Sequence, residues 1–184
     1  IAGLKRFQAG MYQIQDISSM LAGEYTAPKA GDTIVDVCGA PGGKSINAAL
    51  KMSEQGDCGR VIARDLSDYK VALIDENIKR LNITNIQTQV YDALDCDESL
   101  INKADIVIAD LPCSGLGIIG RKPDIKYNAS PEKLQSLVDL QRDILKVVSR
   151  YVKSGGVLMY STCTINRAEN EDNADWIYKE SGFT

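Results

Sequence analysis

Five cysteines and no histidine define the chemistry open to this 184-residue chain. Cys38, Cys58, Cys96, Cys113 and Cys163 are odd in number, widely spaced and free of any Cys-x-x-Cys pair. That spacing suits neither a disulfide framework nor a zinc site, so no metal is expected. Most of these thiols are expected to be buried small hydrophobes in a reducing, cytoplasmic setting. The lack of histidine excludes Ser–His–Asp and Cys–His catalysis. Proton transfer falls to carboxylates, cysteines, lysines, tyrosines or water. The net charge of −4 and pI of about 4.9 argue against a general nucleic-acid binder, which carries a basic face.

The remaining residues must position these groups. Hydrophobic residues make up 44% and charged residues 25%, as in an ordinary globular domain. Short apolar runs alternate with longer helical patterns. Thr33–Cys38, Arg60–Asp65, Ile86–Tyr91, Ala104–Leu111 and Val157–Ser161 read as strands. Helices are expected from Gly43 to Met52, after Ser67 (Val71, Ile74, Ile78 and Leu81 on one face), and from Pro131 with Ser130 as cap. Gly155-Gly156 is expected to end that third helix, and a last one runs from Glu169 to Tyr178. Alternating strands and helices predict an α/β fold around a mostly parallel sheet with right-handed crossovers. Ligands then sit beyond the carboxyl ends of the strands.

The chemistry-bearing residues fall at those ends. After the first strand comes Cys38-Gly39-Ala40-Pro41-Gly42-Gly43-Lys44. Its glycines permit a sharp turn and close approach of a ligand, and the helix start behind them favours a carboxylate or phosphate. The spacing is neither GxGxxG nor a P-loop. Asp65 stands where a ribose diol is commonly held, or is a turn residue; Asp92 stands where an adenine edge would lie, or is another turn residue. Together these describe a pocket for an adenosine-containing ligand. Cys113 (after Asp110-Leu-Pro) and Cys163 (after Ser161-Thr) occupy the ends of two neighbouring strands. Their joint placement opposite the glycine turn favours a nucleophilic role over core filling. Arg121, Lys122 and Lys126 follow the Cys113 loop, and beside such a site phosphate contacts are favoured over a solvated turn.

Asp36-x-Cys-x-Ala-Pro-Gly-Gly-Lys44, Asp110-x-Pro-Cys-Ser-Gly115 and Ser161-Thr-Cys-Thr164 with Glu169-Asn-Glu171 resemble the motifs of RNA 5-methylcytosine methyltransferases. Gln15-Asp-Ile-Ser-Ser-Met20 and Gly120-Arg-Lys-Pro-Asp-Ile-Lys126 narrow the resemblance to the bacterial Sun/Fmu type, which acts on small-subunit ribosomal RNA. The resemblance runs from about Phe7 to Trp176. It implies a class I, Rossmann-like, S-adenosylmethionine-dependent methyltransferase fold lacking the last two strands. It implies that Cys38 to Lys44, Asp65, Asp92 and Asp110 bind S-adenosylmethionine. It also implies that Cys163 is the nucleophile, that Cys113 helps elimination, and that the partner is RNA presenting a flipped-out or loop cytosine. Gly39 replaces a more usual alanine, and Leu111 a proline or alanine. One domain is expected, with residues 1–30 as a lead-in and 31–184 as the catalytic part. Rival readings are a methyltransferase for small molecules or protein, which would not need Cys163, and a non-catalytic adenosine- or RNA-binding domain with structural cysteines.

Overall fold

Ala104–Asp110 carries an unbroken apolar run from Ile106 to Ala109, as expected of a strand covered on both faces, and it lies inside a sheet in the computed structural model. The structure describes residues 3–56 and 59–183, so the expectation for Cys58 lies outside the described residues. Among these, β1 (Thr33–Asp36), β2 (Arg60–Asp65), β3 (Ile86–Val90), β4 (Ala104–Asp110) and β5 (Val152–Ser161) form one sheet in the order β3-β2-β1-β4-β5. Every neighbouring pair is parallel. The helices are α1 (Lys5–Gln8), α2 (Ile17–Thr26), α3 (Gly43–Glu54), α4 (Asp68–Leu81), α5 (Ile125–Asn128), α6 (Pro131–Val148) and α7 (Glu171–Ser181). None of them is long and apolar enough to cross a membrane.

Alternation along the strands divides the core into two clusters. Val35, Val107 and Ala109 pack with Ile144, Leu145 and Val148 of α6 and Ile177 of α7. Ile34, Ile106 and Ile108 point the other way, onto Ala48, Ala49 and Met52 of α3. Each fully buried aliphatic side chain contributes about 1.5–3 kcal/mol. Caps follow the expected chemistry: the Ser67 and Ser130 hydroxyls each accept from a backbone N–H three residues on, with Pro131 in the first turn of α6.

Several boundaries differ from the sequence reading. β1 stops at Asp36, two residues early, because the chain turns there into the glycine loop. α3 runs two residues beyond Met52. β3 and β4 each stop one residue early. Gly155-Gly156 does not end the third long helix. α6 stops at Val148, a 3-10 turn covers Ser149–Tyr151, and the glycines lie within β5. The register against β4 shifts there, Gly155 has φ +76°, and a Cβ on Gly156 would come within 2.8 Å of the Asp105 carbonyl oxygen. The pair marks a bulge at a close strand approach. The last helix begins at Glu171, after a turn over Arg167–Glu169.

The strand order reverses between β1 and β4. Loops leaving their carboxyl ends diverge and open a crevice, the place where such sheets bind ligands.

Candidate active site

The loop after β1 is wound tightly. Gly39 N–H donates to the Arg64 carbonyl at 2.7 Å, and Gly42 N–H to the Gly39 carbonyl at 2.6 Å. Ala40–Pro41 is a cis peptide. Gly42 caps α3 with φ +101°, and a Cβ there would meet Ile74 at 3.1 Å, so both conformation and space call for glycine. Cys38, Gly39, Ala40, Pro41, Gly43, Lys44 and Asp110 line a cavity of about 230 Å³, with Gln13, Gln15 and Asp36 among the other residues of its wall. Gly42, Asp65 and Asp92 lie outside its lining.

Asp36 is the last residue of β1 and is fully buried. One carboxylate oxygen accepts from the Ser45 hydroxyl at 2.6 Å, whereas Oδ1 has no partner. Burial lifts its pKa to about 7, the Ser45 bond opposing and the Asp110 charge adding to the rise. Gln13 Oε1 and Gln15 Nε2, on the same cavity, are also buried without partners. Three residues of one cavity wall thus each carry a buried polar atom without a partner, which marks the site as one a polar ligand would suit.

Asp65 is buried and holds the loop: it accepts from Ala40 N–H at 3.1 Å and Leu66 N–H at 2.8 Å, and pairs with Lys70 at 2.9 Å. Asp92 caps its own turn, accepting from Leu94 N–H at 2.9 Å. Cys38 packs against the core, and burial, with the Asp36 and Asp65 charges, pushes its thiol up to about 12. Cys96 packs there too; both are partly rather than fully buried.

The register Asp110↔Ser161 between β4 and β5 brings the two remaining cysteines together. Their sulfurs lie 3.3 Å apart as free thiols, and Cys163 N–H donates to Cys113 Sγ at 3.3 Å. Cys163 is exposed and Cys113 partly buried. Burial, then the contact with Cys163, pushes the Cys113 thiol up to about 12, so it stays protonated at neutral pH. Asp110 receives Lys44 Nζ on one oxygen at 2.6 Å and the Ser161 hydroxyl on the other at 2.7 Å. Lys44 also reaches the Ser19 hydroxyl at 3.3 Å. The ammonium is thereby engaged by Asp110.

Two clefts share Cys163. One, of about 280 Å³, includes Lys44, Asp110, Ser161 and Ser19; the other, of about 510 Å³, includes Asp16, Gly117 and Arg121. Arg121 pairs with Asp16 at 2.7 Å. Lys122 and Lys126 are exposed, with Lys126 Nζ 4.7 Å from the centre of the exposed Tyr127 ring. Gln13 escapes the sequence reading, and Asp36, Gln15 and the α2 serines enter it only as motif residues, without their place in the cavity and cleft walls. They precede the strand-end pattern or sit inside a strand, and no local signal marks their orientation.

The all-parallel order with its glycine turn defines a class I, Rossmann-like methyltransferase fold. A solved S-adenosylmethionine-dependent O-methyltransferase from Thermotoga maritima shares the fold at a TM-score of 0.64 and 15% identity, over 92% of this chain and 51% of that one. Within that class the chain belongs to the 16S rRNA methyltransferase RsmB/F family, whose profile spans residues 24–181. It is 43% identical over 173 residues to the probable ribosomal RNA small subunit methyltransferase B of Bacillus subtilis (strain 168), covering 94% of this chain and 38% of that protein. The structure of NSun6 from Pyrococcus horikoshii with SFG matches at a TM-score of 0.86 and 31% identity, over 98% of this chain and 45% of that one. The chain thus spans about two fifths of the length of these relatives.

Proposed function

We propose that the protein transfers a methyl group from S-adenosylmethionine to C5 of a cytosine in small-subunit ribosomal RNA, through a covalent bond between Cys163 and C6 of the base. The observation that carries this reading is the pair of thiols in contact at the cleft, beside the glycine loop. Membership of an rRNA methyltransferase family supports the RNA substrate.

The residues present suit S-adenosylmethionine. The start of α3 offers free N–H groups to a carboxylate, and Asp36 Oδ1, Gln13 Oε1 and Gln15 Nε2 await polar partners. Cys38 to Lys44 form the cradle, with Asp110 at its edge, and Asp65 and Asp92 extend the site toward ribose and adenine. When bound, the cofactor supplies an electrophilic sulfonium methyl group.

Cytosine C5 is too weak a nucleophile unaided. The Cys163 thiolate adds at C6, which breaks the ring conjugation and concentrates electron density at C5. C5 then forms its new bond to the methyl carbon as the sulfonium–methyl bond breaks, its electron pair staying on a sulfur that departs as a neutral thioether. Water takes the C5 proton, the C5–H pair becomes the C5–C6 double bond, and the Cys163–C6 bond breaks, returning its electron pair to sulfur. Because Cys113 stays a thiol, its S–H can donate to the Cys163 sulfur and favour the thiolate without any histidine. Asp110, held by Lys44 and Ser161, faces the cleft where the N3/N4 edge of the base would lie. The base enters flipped out of its stack. Arg121, Lys122 and Lys126 hold flanking phosphates.

The test is covalent trapping. Incubated with S-adenosylmethionine and a small-subunit rRNA transcript containing 5-fluorocytosine, the protein should form a denaturation-resistant adduct at Cys163, because fluorine cannot leave as a proton does. A folded, cofactor-bound protein that forms none would overturn the mechanism.

A further inference from the structure

Glu169 is fully buried, and its carboxylate accepts four hydrogen bonds. Oε2 takes Ser114 N–H at 2.8 Å and Gln141 Nε2 at 3.2 Å. Oε1 takes the Ser114 hydroxyl at 2.6 Å and Asn166 Nδ2 at 3.0 Å. Ser114 follows Cys113, and its hydroxyl also meets that of Thr164 at 2.7 Å, next to Cys163. Gln141 Nε2 in addition grips the carbonyl of Pro112, on the other side of Cys113, at 2.8 Å. Asn170, adjoining Glu169, holds both residues flanking Cys163: its Nδ2 donates to the Thr164 carbonyl at 2.8 Å, and its Oδ1 accepts from the Thr162 hydroxyl. Ser114, Thr162 and Thr164 are therefore tied directly to one short segment, 166–170, and Pro112 is tied to it through Gln141, which bonds Glu169.

A buried carboxylate is a costly way to fill space, and the four donors recorded on it are neutral. Only a carboxylate can accept from all of them. A glutamine amide would turn an N–H group toward another donor whichever way it lay. The two thiols, meanwhile, belong to different strands, and the register of β4 on β5 sets their loops only to within side-chain freedom. We propose that Glu169 is a positioning residue: it clamps the Cys113 and Cys163 loops together and thereby sets the sulfur–sulfur separation on which release of the base from Cys163 depends. This rests on the cytosine mechanism above for its consequence, but not for the spacing itself.

The experiment compares the full chain with E169Q and S114A. Binding of S-adenosylmethionine, by calorimetry, gives the folded, cofactor-competent fraction to which every rate is normalised. Diamide, which takes two electrons and two protons from two thiols to close a disulfide, measures the spacing without RNA. The Cys113–Cys163 disulfide should form about tenfold more slowly in E169Q. With a small-subunit rRNA transcript containing 5-fluorocytosine, E169Q should form the adduct more slowly but reach a final extent within about twofold of wild type, since Cys163 is intact. With ordinary cytosine its turnover should fall about tenfold or more, with the Cys163–RNA adduct accumulating. S114A should shift both readouts the same way by about fivefold, and decides the matter if E169Q does not bind cofactor. A purely structural role would lower the competent fraction and leave the normalised rates and adduct level unchanged; that result overturns the proposal. If wild type traps no adduct, the cytosine mechanism fails, and the disulfide rates alone decide the clamp.

Discussion

Replacing Asp36 by asparagine should stabilise the protein at pH 8 and leave its stability nearly unchanged at pH 4. The side chain is fully buried, and its pKa rises from 3.8 to about 7 on folding. Below about pH 4 both states hold the proton, and burial of the neutral acid carries no charge penalty. Between about pH 4 and pH 7 the folded state keeps a proton that the unfolded state has released, so stability falls as pH rises. Above pH 7 both states are ionised and the full penalty applies. At roughly 1.4 kcal/mol per pKa unit, the rise in pKa corresponds to a penalty of about 4 kcal/mol. Asparagine resembles the protonated acid and can still accept from the Ser45 hydroxyl. Asp97 is held below the usual carboxylate range by the Ser99 hydroxyl and Arg64, and Asp105, against its burial, by Lys153. Their contributions run the other way, lost in acid, but they are common to both proteins and cancel in the difference. Urea midpoints from pH 4.5 to 8.5, at equal m-value, give that difference. A gap between wild type and D36N that does not widen with pH, or a wild type more stable at pH 8, would refute the reasoning. The same variant should bind S-adenosylmethionine less tightly, since the unpartnered Oδ1 is replaced by a donor.

The two thiols should separate by phenotype. Cys163→Ala should abolish methyl transfer, whereas Cys113→Ala should accumulate a protein–RNA intermediate on denaturing gels; the reverse pattern would exchange their roles. Gly117→Ala should lower kcat/KM about tenfold with cofactor affinity unchanged, because its Cβ would sit 2.9 Å from the Cys163 carbonyl oxygen; wild-type kinetics would show that this approach yields freely. Leu145→Ala, fully buried between α6 and the sheet, should lower stability by about 2–5 kcal/mol in urea melts, and a smaller loss would mean that the core collapses around the gap.

Much of the fold was legible locally. The apolar runs, the serine caps and the proline at the start of α6 are short-range signals, and β2 is found at the bounds its residues suggest. Gly155-Gly156 misled because glycine suits a helix stop and a strand bulge equally; the nearby Asp105 carbonyl, on another strand, decides between them. Sequence leaves Asp65 and Asp92 open between ligand and turn roles; in the structure Asp65 accepts from Ala40 and Leu66 and Asp92 from Leu94.

What the sequence by itself determined was the inventory: which strand ends carry glycine, carboxylate and thiol, and that no histidine takes part. Those features depend on residue type and on periodicities of a few residues. Only the tertiary structure decided what the groups do to one another. Cys113 and Cys163 are 50 positions apart and touch because β4 and β5 pair in register. Lys44 meets Asp110 across 66 positions, which commits its charge to a carboxylate. The ionisation of Asp36 and Cys113 follows from burial, and burial belongs to the packed sheet rather than to any stretch of chain.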